Sequence, residues 1–212
     1  MAFSSEDLST MDSIIKRYPR SRSAIMPLLH YVQSKAGYVT NEGIEVIAKL
    51  LDLESAEVTA VSTFYTQYKP TPVGEYHVGV CTNTLCAIMG GDAIFASLKD
   101  HLGIGNDEVT ADGKVSLEHI ECNAACDYAP VVMANWEFYD NQTVESAKAL
   151  VDGARAGNPP APTRGPNRLV TYKQASAVLA GLDDGLAGEG VQAGSATLLG
   201  LGIARTAEKG GK

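Results

Sequence analysis

The sequence lacks any run of about 18 apolar residues, the length a membrane-spanning helix needs, so the chain is expected not to cross a membrane. The longest candidate, residues 196–204, is short and broken by Gly200 and Gly202. A basic excess is also missing. Lys and Arg number 17 against 25 Asp and Glu, a net charge of −8, whereas a nucleic-acid binder usually carries a basic face. Residues 1–20 hold no charged-then-apolar segment with a small-residue cleavage site, which argues against a secretory leader and for a reducing compartment. No G-x-x-x-x-G-K-[ST] occurs and no G-x-G-x-x-G follows a strand, so the chain is expected to have no phosphate loop or dinucleotide site of its own. A Cys-x-x-Cys exchange motif is absent. None of His30, His77, His101 and His119 forms the Cys-x-His pair of a Rieske centre. These histidines are read as ordinary surface or half-buried residues.

Cysteine is scarce, yet every cysteine falls in a pattern. Four of them make two close pairs, Cys81-x4-Cys86 and Cys122-x3-Cys126, with none left over. Thiolate sulfur is soft and suits iron–sulfur clusters, zinc or Cu(I) far better than Mg or Ca. Four thiolates, two on each iron, are what a [2Fe–2S] cluster needs. Three other readings stay open on spacing alone. Disulfides require an oxidising compartment. Structural zinc favours C-x2-C or C-x4-C knuckles; one pair fits, C-x3-C is less typical, and both pairs lie in strand-rich sequence. A redox dithiol lacks its motif. Cys81, Cys86, Cys122 and Cys126 are therefore the candidate metal-ligating and cofactor-binding residues, and no catalytic residue is assigned. All-thiolate ligation and the acidic balance predict a low potential, near the roughly −400 mV of plant-type centres.

At 212 residues the chain is long enough for one domain with extensions or for two small ones. Residues 1–72 read as helical. Ile14, Ile15 and Tyr18 mark a first helix closed by Tyr18-Pro19. Ser21 and Ser23 are candidate caps of a second, with Ile25, Leu28, Leu29 and Val32 on one face, Pro27 near its start and Gly37 as its stop. Thr40 caps a third carrying Ile44, Ile47, Leu50 and Leu51, and a fourth covers 54–64. Helices this short must pack on each other, on the next domain or on a partner.

Over residues 73–156 the period changes. Tyr76, Val78 and Val80 alternate with His77 and Gly79 as a strand ending at Cys81. Cys86 opens a helix running to Leu102, with Gly90-Gly91 in its first turns. Such glycines cost up to ~1 kcal/mol each, so close packing or a partner's approach is expected there. Asp112-Gly113 turns the chain toward a strand of Val115, Leu117 and Ile120 that leads into Cys122. Residues 131–133 and 138–139 form a hairpin turning at Asn135-Trp136, and Thr143 caps a last helix with Ala147, Leu150 and Val151. The order is βαβββα, an α+β or α/β domain on a thioredoxin-like plan, with both cysteine pairs just beyond strand ends, where such folds commonly place chemistry. Residues 157–212 open on the stiff Pro159-Pro160-Ala161-Pro162, carry a short helix over 171–180, and run glycine-rich from Gly181 to a basic end at 209–212. An extended C-terminal tail is expected, disordered on its own or docked on a partner.

These residues carry a resemblance. Ser62-Thr63-Phe64-Tyr65, Pro72-Val73-Gly74, Val80-Cys81-Thr82-Asn83 with Cys86, Gly90-Gly91 and residues 122–130 closely resemble the thioredoxin-like [2Fe–2S] subunits of bacterial respiratory complex I, the NADH-quinone oxidoreductase E subunits, over residues 14–154. The resemblance implies an N-terminal helical bundle before a thioredoxin-like ferredoxin domain. One [2Fe–2S] cluster is then held by Cys81, Cys86, Cys122 and Cys126. It implies electron transfer within an NADH-oxidising module, with FMN and NADH bound by a partner flavoprotein subunit and the cluster within electron-transfer reach of that flavin, beside the main path to quinone. Other peripheral-arm subunits are further implied partners, and the place is the cytoplasmic side of the inner (plasma) membrane. The same module in an NAD-linked formate dehydrogenase or bidirectional hydrogenase is the alternative, and a structural zinc module a third. One departure stands out. The family's second pair usually reads Cys-Leu-Gly-Ala-Cys, and here it is Cys122-Asn123-Ala124-Ala125-Cys126. Alanine at positive φ would be costly, and Asn123 can change hydrogen bonding around the sulfurs. The tail beyond Gly157 lies outside the shared part.

Overall fold

A computed structural model of the chain describes residues 3–190, 193 and 195–210. Met1, Ala2, part of the glycine-rich stretch (Val191, Gln192, Gly194) and the last residues of the basic end, Gly211 and Lys212, lie outside the described residues.

The N-terminal region forms four helices: α1 (Ser5–Ile15), α2 (Ile25–Ala36), α3 (Asn41–Leu51) and α4 (Ser55–Phe64). Ser4 and Asp7 exchange side-chain and backbone bonds as a capping box on α1. The Thr40 hydroxyl accepts the Gly43 N–H at 3.0 Å and starts α3 as expected. Gly37, at φ +86°, closes α2 in the left-handed conformation that glycine adopts cheaply. Met11, Ile14, Leu28, Leu29, Ile47 and Val58 are fully buried between these helices. Two expectations are corrected. α1 ends at Ile15, and Lys16–Tyr18 follow as turn. Ser21 and Ser23 do not cap α2: they lie in a 3-10 turn, Ser21–Ala24, that winds directly into it, so α2 begins without a side-chain cap.

The sheet holds β1 (Tyr76–Cys81), β2 (Glu108–Val109), β3 (Val115–Ile120), β4 (Val132–Ala134) and β5 (Glu137–Tyr139), in the order β2-β3-β1-β4-β5. The short β2 has no signal in the sequence, because two residues carry no periodicity. β1 runs parallel to β3 with Cys81 opposite Ile120, which brings both cysteine-bearing loops to one end of the sheet. The β4–β5 hairpin turns at Asn135 and Trp136, both at positive φ, as its position predicts. Helices α6 (Gly91–Leu102) and α7 (Val144–Arg155) complete the core with Ile94, Leu98, Ala147, Leu150 and Val151. β1 ends at Cys81 as expected, and as the central strand it has all six residues buried. With it, His77 is 4% exposed, and His30 is likewise buried beside the Tyr68 ring, against the expectation of surface or half-buried histidines.

The helix expected to open at Cys86 is two helices. α5 (Thr84–Ile88) carries Cys86 inside it, and Gly90, at φ +115°, breaks the chain before α6. Gly91 shows why a glycine stands there: a Cβ would lie 2.4 Å from the Cys81 carbonyl oxygen. Close packing on the cysteine loop, one of the two expected reasons, accounts for it.

Residues 163–186 do not extend away. Helix α8 (Tyr172–Leu179) packs along α2, and Ala180 is buried in the helical core. Arg17 donates to the Gly181 carbonyl at 2.7 Å and Lys173 to the Lys35 carbonyl at 3.0 Å. On the other side, Arg164 pairs with Asp140 at 2.8 Å and the Asn135 amide donates to the Val170 carbonyl at 2.7 Å. This part of the tail docks on its own chain and ties the helices to the sheet, because α8 has an apolar side that α2 can cover. Helix α9 (Ser195–Gly210) exposes Leu198, Leu199, Leu201 and Ile203. Among the described residues no helix is long and apolar enough to cross a membrane.

Candidate metal centre

Both cysteine pairs sit where the parallel strands β1 and β3 end. Cys81 is the last residue of β1, and Cys86 follows within α5; both are buried. Cys122 and Cys126 lie two and six residues beyond β3 and are exposed. The Cys122 and Cys126 sulfurs are 3.6 Å apart. Two thiolates at about 2.3 Å from one tetrahedral metal are separated by about 3.8 Å, so this pair already has the bite for one metal ion. Burial pushes the Cys81 thiol up to about 11, with Cys86 close enough to add to the shift and Cys122 acting across the gap. Cys122 likewise raises Cys126. Without a cation the Cys81 thiol holds its proton at neutral pH, and a soft metal draws such a thiol to thiolate.

The thiols come in two close pairs, Cys122 with Cys126 at 3.6 Å and Cys81 with Cys86 within hydrogen-bonding reach. Among the described residues no group of three or more Cys, His, Asp or Glu converges on a single metal position. A structural zinc needs four donors around one ion, whereas a two-iron cluster needs two donors on each of two irons. The donor set and its pairing fit the latter. All four sequence-predicted residues are thus brought to one end of the sheet.

The Cys122 loop is unusual in its backbone. Ala124 stands at φ +55°, the cost foreseen for alanine at this position. Its N–H points to the Cys122 sulfur at 3.4 Å. Asn123 donates from its side chain to the Glu121 carbonyl at 3.1 Å and not to a sulfur.

Beside Cys122 lies a cavity of about 720 Å³, walled by Thr66, Glu118, Trp136, Phe138 and Leu179. Behind it runs a buried polar chain. Lys69 pairs with Glu118, the His77 Nε2 meets the same carboxylate at 2.8 Å, and His77 Nδ1 meets the Ser116 hydroxyl at 2.9 Å. Burial alone would raise the Glu118 carboxyl, but His77 and Lys69 together hold it below its ordinary range. Burial lowers the His77 imidazole against the pull of Glu118. The Lys69 ammonium also lies 5.5 Å from the centre of the Trp136 ring. Sequence reasoning missed this chain: its members are 41 and 49 residues apart, and no local spacing joins them. Two apolar features flank the region. Phe64 ends α4 at 76% exposure with Tyr65 edge-on to it, and Ile88 on α5 is 77% exposed, with Leu85 and Met89 beside it.

Comparison with known proteins gives consistent findings. Residues 11–155 match the family described as thioredoxin-like [2Fe–2S] ferredoxin. The E subunit of the NADH-quinone oxidoreductase of Mycobacterium bovis is 60% identical over 193 residues, 91% of this chain and 76% of that protein. An alignment of that length in a chain of 212 takes in part of the tail beyond 155. The corresponding E subunit of Rickettsia bellii is 41% identical over 157 residues, 73% of this chain and 94% of that protein. Among solved structures, an NAD+-reducing [NiFe]-hydrogenase in the air-oxidized state aligns with a TM-score of 0.55 at 20% identity, over 62% of this chain and 23% of that chain. At that identity the likeness concerns the fold alone.

Proposed function

Because the chain belongs to the thioredoxin-like [2Fe–2S] ferredoxin family, we propose that it is the electron-transfer subunit of an NADH:quinone oxidoreductase and holds one [2Fe–2S] cluster on Cys81, Cys86, Cys122 and Cys126. The single observation that carries the ligand assignment is the pairing of the four thiols at one sheet end, with a 3.6 Å bite at Cys122 and Cys126. The 60% identity to a protein of that name carries the assembly. When bound, such a cluster accepts and returns one electron at a time. The chain's own residues supply thiolates, a dry inner side formed by Cys81 and Cys86, and an outer side at Cys122 and Cys126 open to a partner. Hydride chemistry belongs to an FMN-bearing, NADH-binding flavoprotein subunit, with further peripheral-arm subunits alongside, on the cytoplasmic side of the membrane.

Hydride transfer moves two electrons together, and a flavin is the usual converter to single-electron steps. The iron-loaded chain alone should therefore keep its visible absorbance when NADH is added anaerobically, and should bleach rapidly once the flavoprotein subunit is present. Rapid bleaching by NADH with no flavin in the cuvette would refute this division of labour.

The exposed pair Phe64 and Tyr65 is proposed as an anchor for that partner, since large aromatics concentrate at interface hot spots. Their exposure means that no core depends on Phe64. Changing both to alanine should cost at least about 2 kcal/mol of binding, roughly 30-fold in affinity, as hot-spot residues do, while the isolated chain keeps its absorbance spectrum. Unchanged affinity in a titration against the flavoprotein subunit would show that the partner docks elsewhere.

A further inference from the structure

The first residues of the tail reach the loop that carries Cys126. Thr163 donates its N–H to the Phe138 carbonyl at 2.8 Å, and Arg164 stands opposite Phe138 in an antiparallel bridge, so this stretch runs along the outer edge of β5. The bridge brings the Arg164 guanidinium to two aromatic rings. Its centre lies 4.2 Å from the Phe138 ring centre and 5.5 Å from the Tyr128 ring centre, and it pairs with the buried Asp140 carboxylate at 2.8 Å. A cation shielded from water over aromatic faces makes a firmer contact than an exposed ion pair. Both rings lead to thiols. Tyr128 closes the 3-10 turn Cys126–Tyr128, two residues beyond Cys126. Phe138 packs against the apolar cluster that contains Cys81, Cys86 and Ala125.

We infer that Arg164 is a positioning residue for the redox centre: by bridging Phe138 and Tyr128, its guanidinium clamps the Cys126–Tyr128 turn and keeps Cys126 on the metal. The inference rests on the assignment of Cys126 as a ligand. It gives the tail a part in the metal site, although residue 164 lies beyond the span 11–155 that matches the family. The physical reason is the freedom of an exposed ligand. A thiolate leaves its metal when its loop swings away, and a loop fastened by a side chain just beyond the ligand swings away less often. Cys81 and Cys86 are buried and held by the core around them, whereas Cys126 is exposed and is held through its neighbours. One of those neighbours is Tyr128, whose carbonyl also accepts the Asn141 N–H at 2.8 Å.

The test times the release of iron to a chelator, followed as loss of visible absorbance. It compares the iron-loaded wild-type chain with Arg164→Ala, Tyr128→Leu, the double variant and Arg17→Ala. Iron and sulfide analysis of the wild type comes first; a chain without about two of each overturns the cysteine assignment itself, a failure distinct from that of the present inference. Arg17 ties the tail to the helical bundle at Gly181, so its variant loosens the tail without touching the clamp. Arg164→Ala should release iron about tenfold faster, the factor that loss of a cation–π contact of ordinary strength gives. Its EPR spectrum after reduction with dithionite should differ from the wild type in principal g values. Tyr128→Leu should act in the same direction, and the double variant should be no faster than the faster single variant, because both changes remove one bridge. Arg17→Ala should match the wild type in rate and spectrum. Equal rates and spectra for Arg164→Ala and the wild type would overturn the inference. So would single effects that multiply in the double variant, or an Arg17→Ala as fast as Arg164→Ala. If the far-UV spectrum shows that Arg164→Ala does not fold, Tyr128→Leu decides, and a wild-type rate and spectrum there would overturn the clamp.

Discussion

Replacing Cys86 by alanine should leave a folded chain without its iron. Cys86 lies inside α5 with 3% of its surface exposed, so an alanine leaves the helix intact and removes only the sulfur. The remaining Cys81 would offer one thiolate where two are needed to complete an iron's tetrahedron, and no nearby His, Asp or Glu among the described residues completes a metal-binding group in its place. Iron and acid-labile sulfide should fall from about two each to background, since that stoichiometry defines the cluster type, and the visible absorbance should go with them. The same loss is expected for alanine at Cys81, Cys122 or Cys126. A far-UV spectrum matching the wild type separates loss of the ligand from loss of the fold. Retention of a full cluster in any of the four variants, or zinc in place of iron in the wild type, would sink the assignment.

The second large effect should come from the tail. Tyr172 is 1% exposed, and Leu169, Ala175, Ala180 and Leu186 are also buried, all in a segment that sequence alone marks as an appendage. Truncating an aromatic in a packed site costs about 3–5 kcal/mol, against a total stability of roughly 5–15 kcal/mol for a domain. Tyr172→Ala should therefore lower the urea midpoint by a large fraction, and ending the chain at 156 should lower it at least as far, by uncovering the side of α2 on which α8 rests. The four cysteines lie outside the tail, so whatever remains folded should still take up iron. A truncated chain with an unchanged urea midpoint would mean that the segment only rests on the surface.

Much of the architecture is local and was legible. Thr40, Gly37 and Thr143 act where capping chemistry puts them, because a cap is a contact between residues one to four positions apart. The hairpin turn at Asn135-Trp136 and the strand ending at Cys81 follow from alternation and turn residues in the same way. The structure departs from the expectation where a local pattern admits two continuations. The stretch from Cys86 to Leu102 has helical composition throughout, and only the packing of Gly91 against the Cys81 carbonyl explains the break into α5 and α6. Ser21 and Ser23 have the chemistry of caps but lie within a turn that needs none.

By itself the sequence determined the metal chemistry and its ligands as candidates: four thiols in two pairs, none spare, in a chain without a dinucleotide motif, restrict the choice sharply because ligand number and softness are properties of residue type. It also determined the elements that carry those thiols, since periodicity and caps are short-range. Tertiary structure alone decided the rest. The parallel pairing of β1 with β3 set the two cysteine loops at one end of the sheet, and burial made the Cys81 pair the inner side and the Cys122 pair the outer. It turned His77 from an apparent strand-surface residue into the centre of a buried chain with Glu118 and Lys69. It brought α8 back onto α2, across more than a hundred residues of chain. Each of these depends on surfaces meeting across long separations, and the free energy of burying one face against another is a property of both faces, which no stretch of sequence states alone.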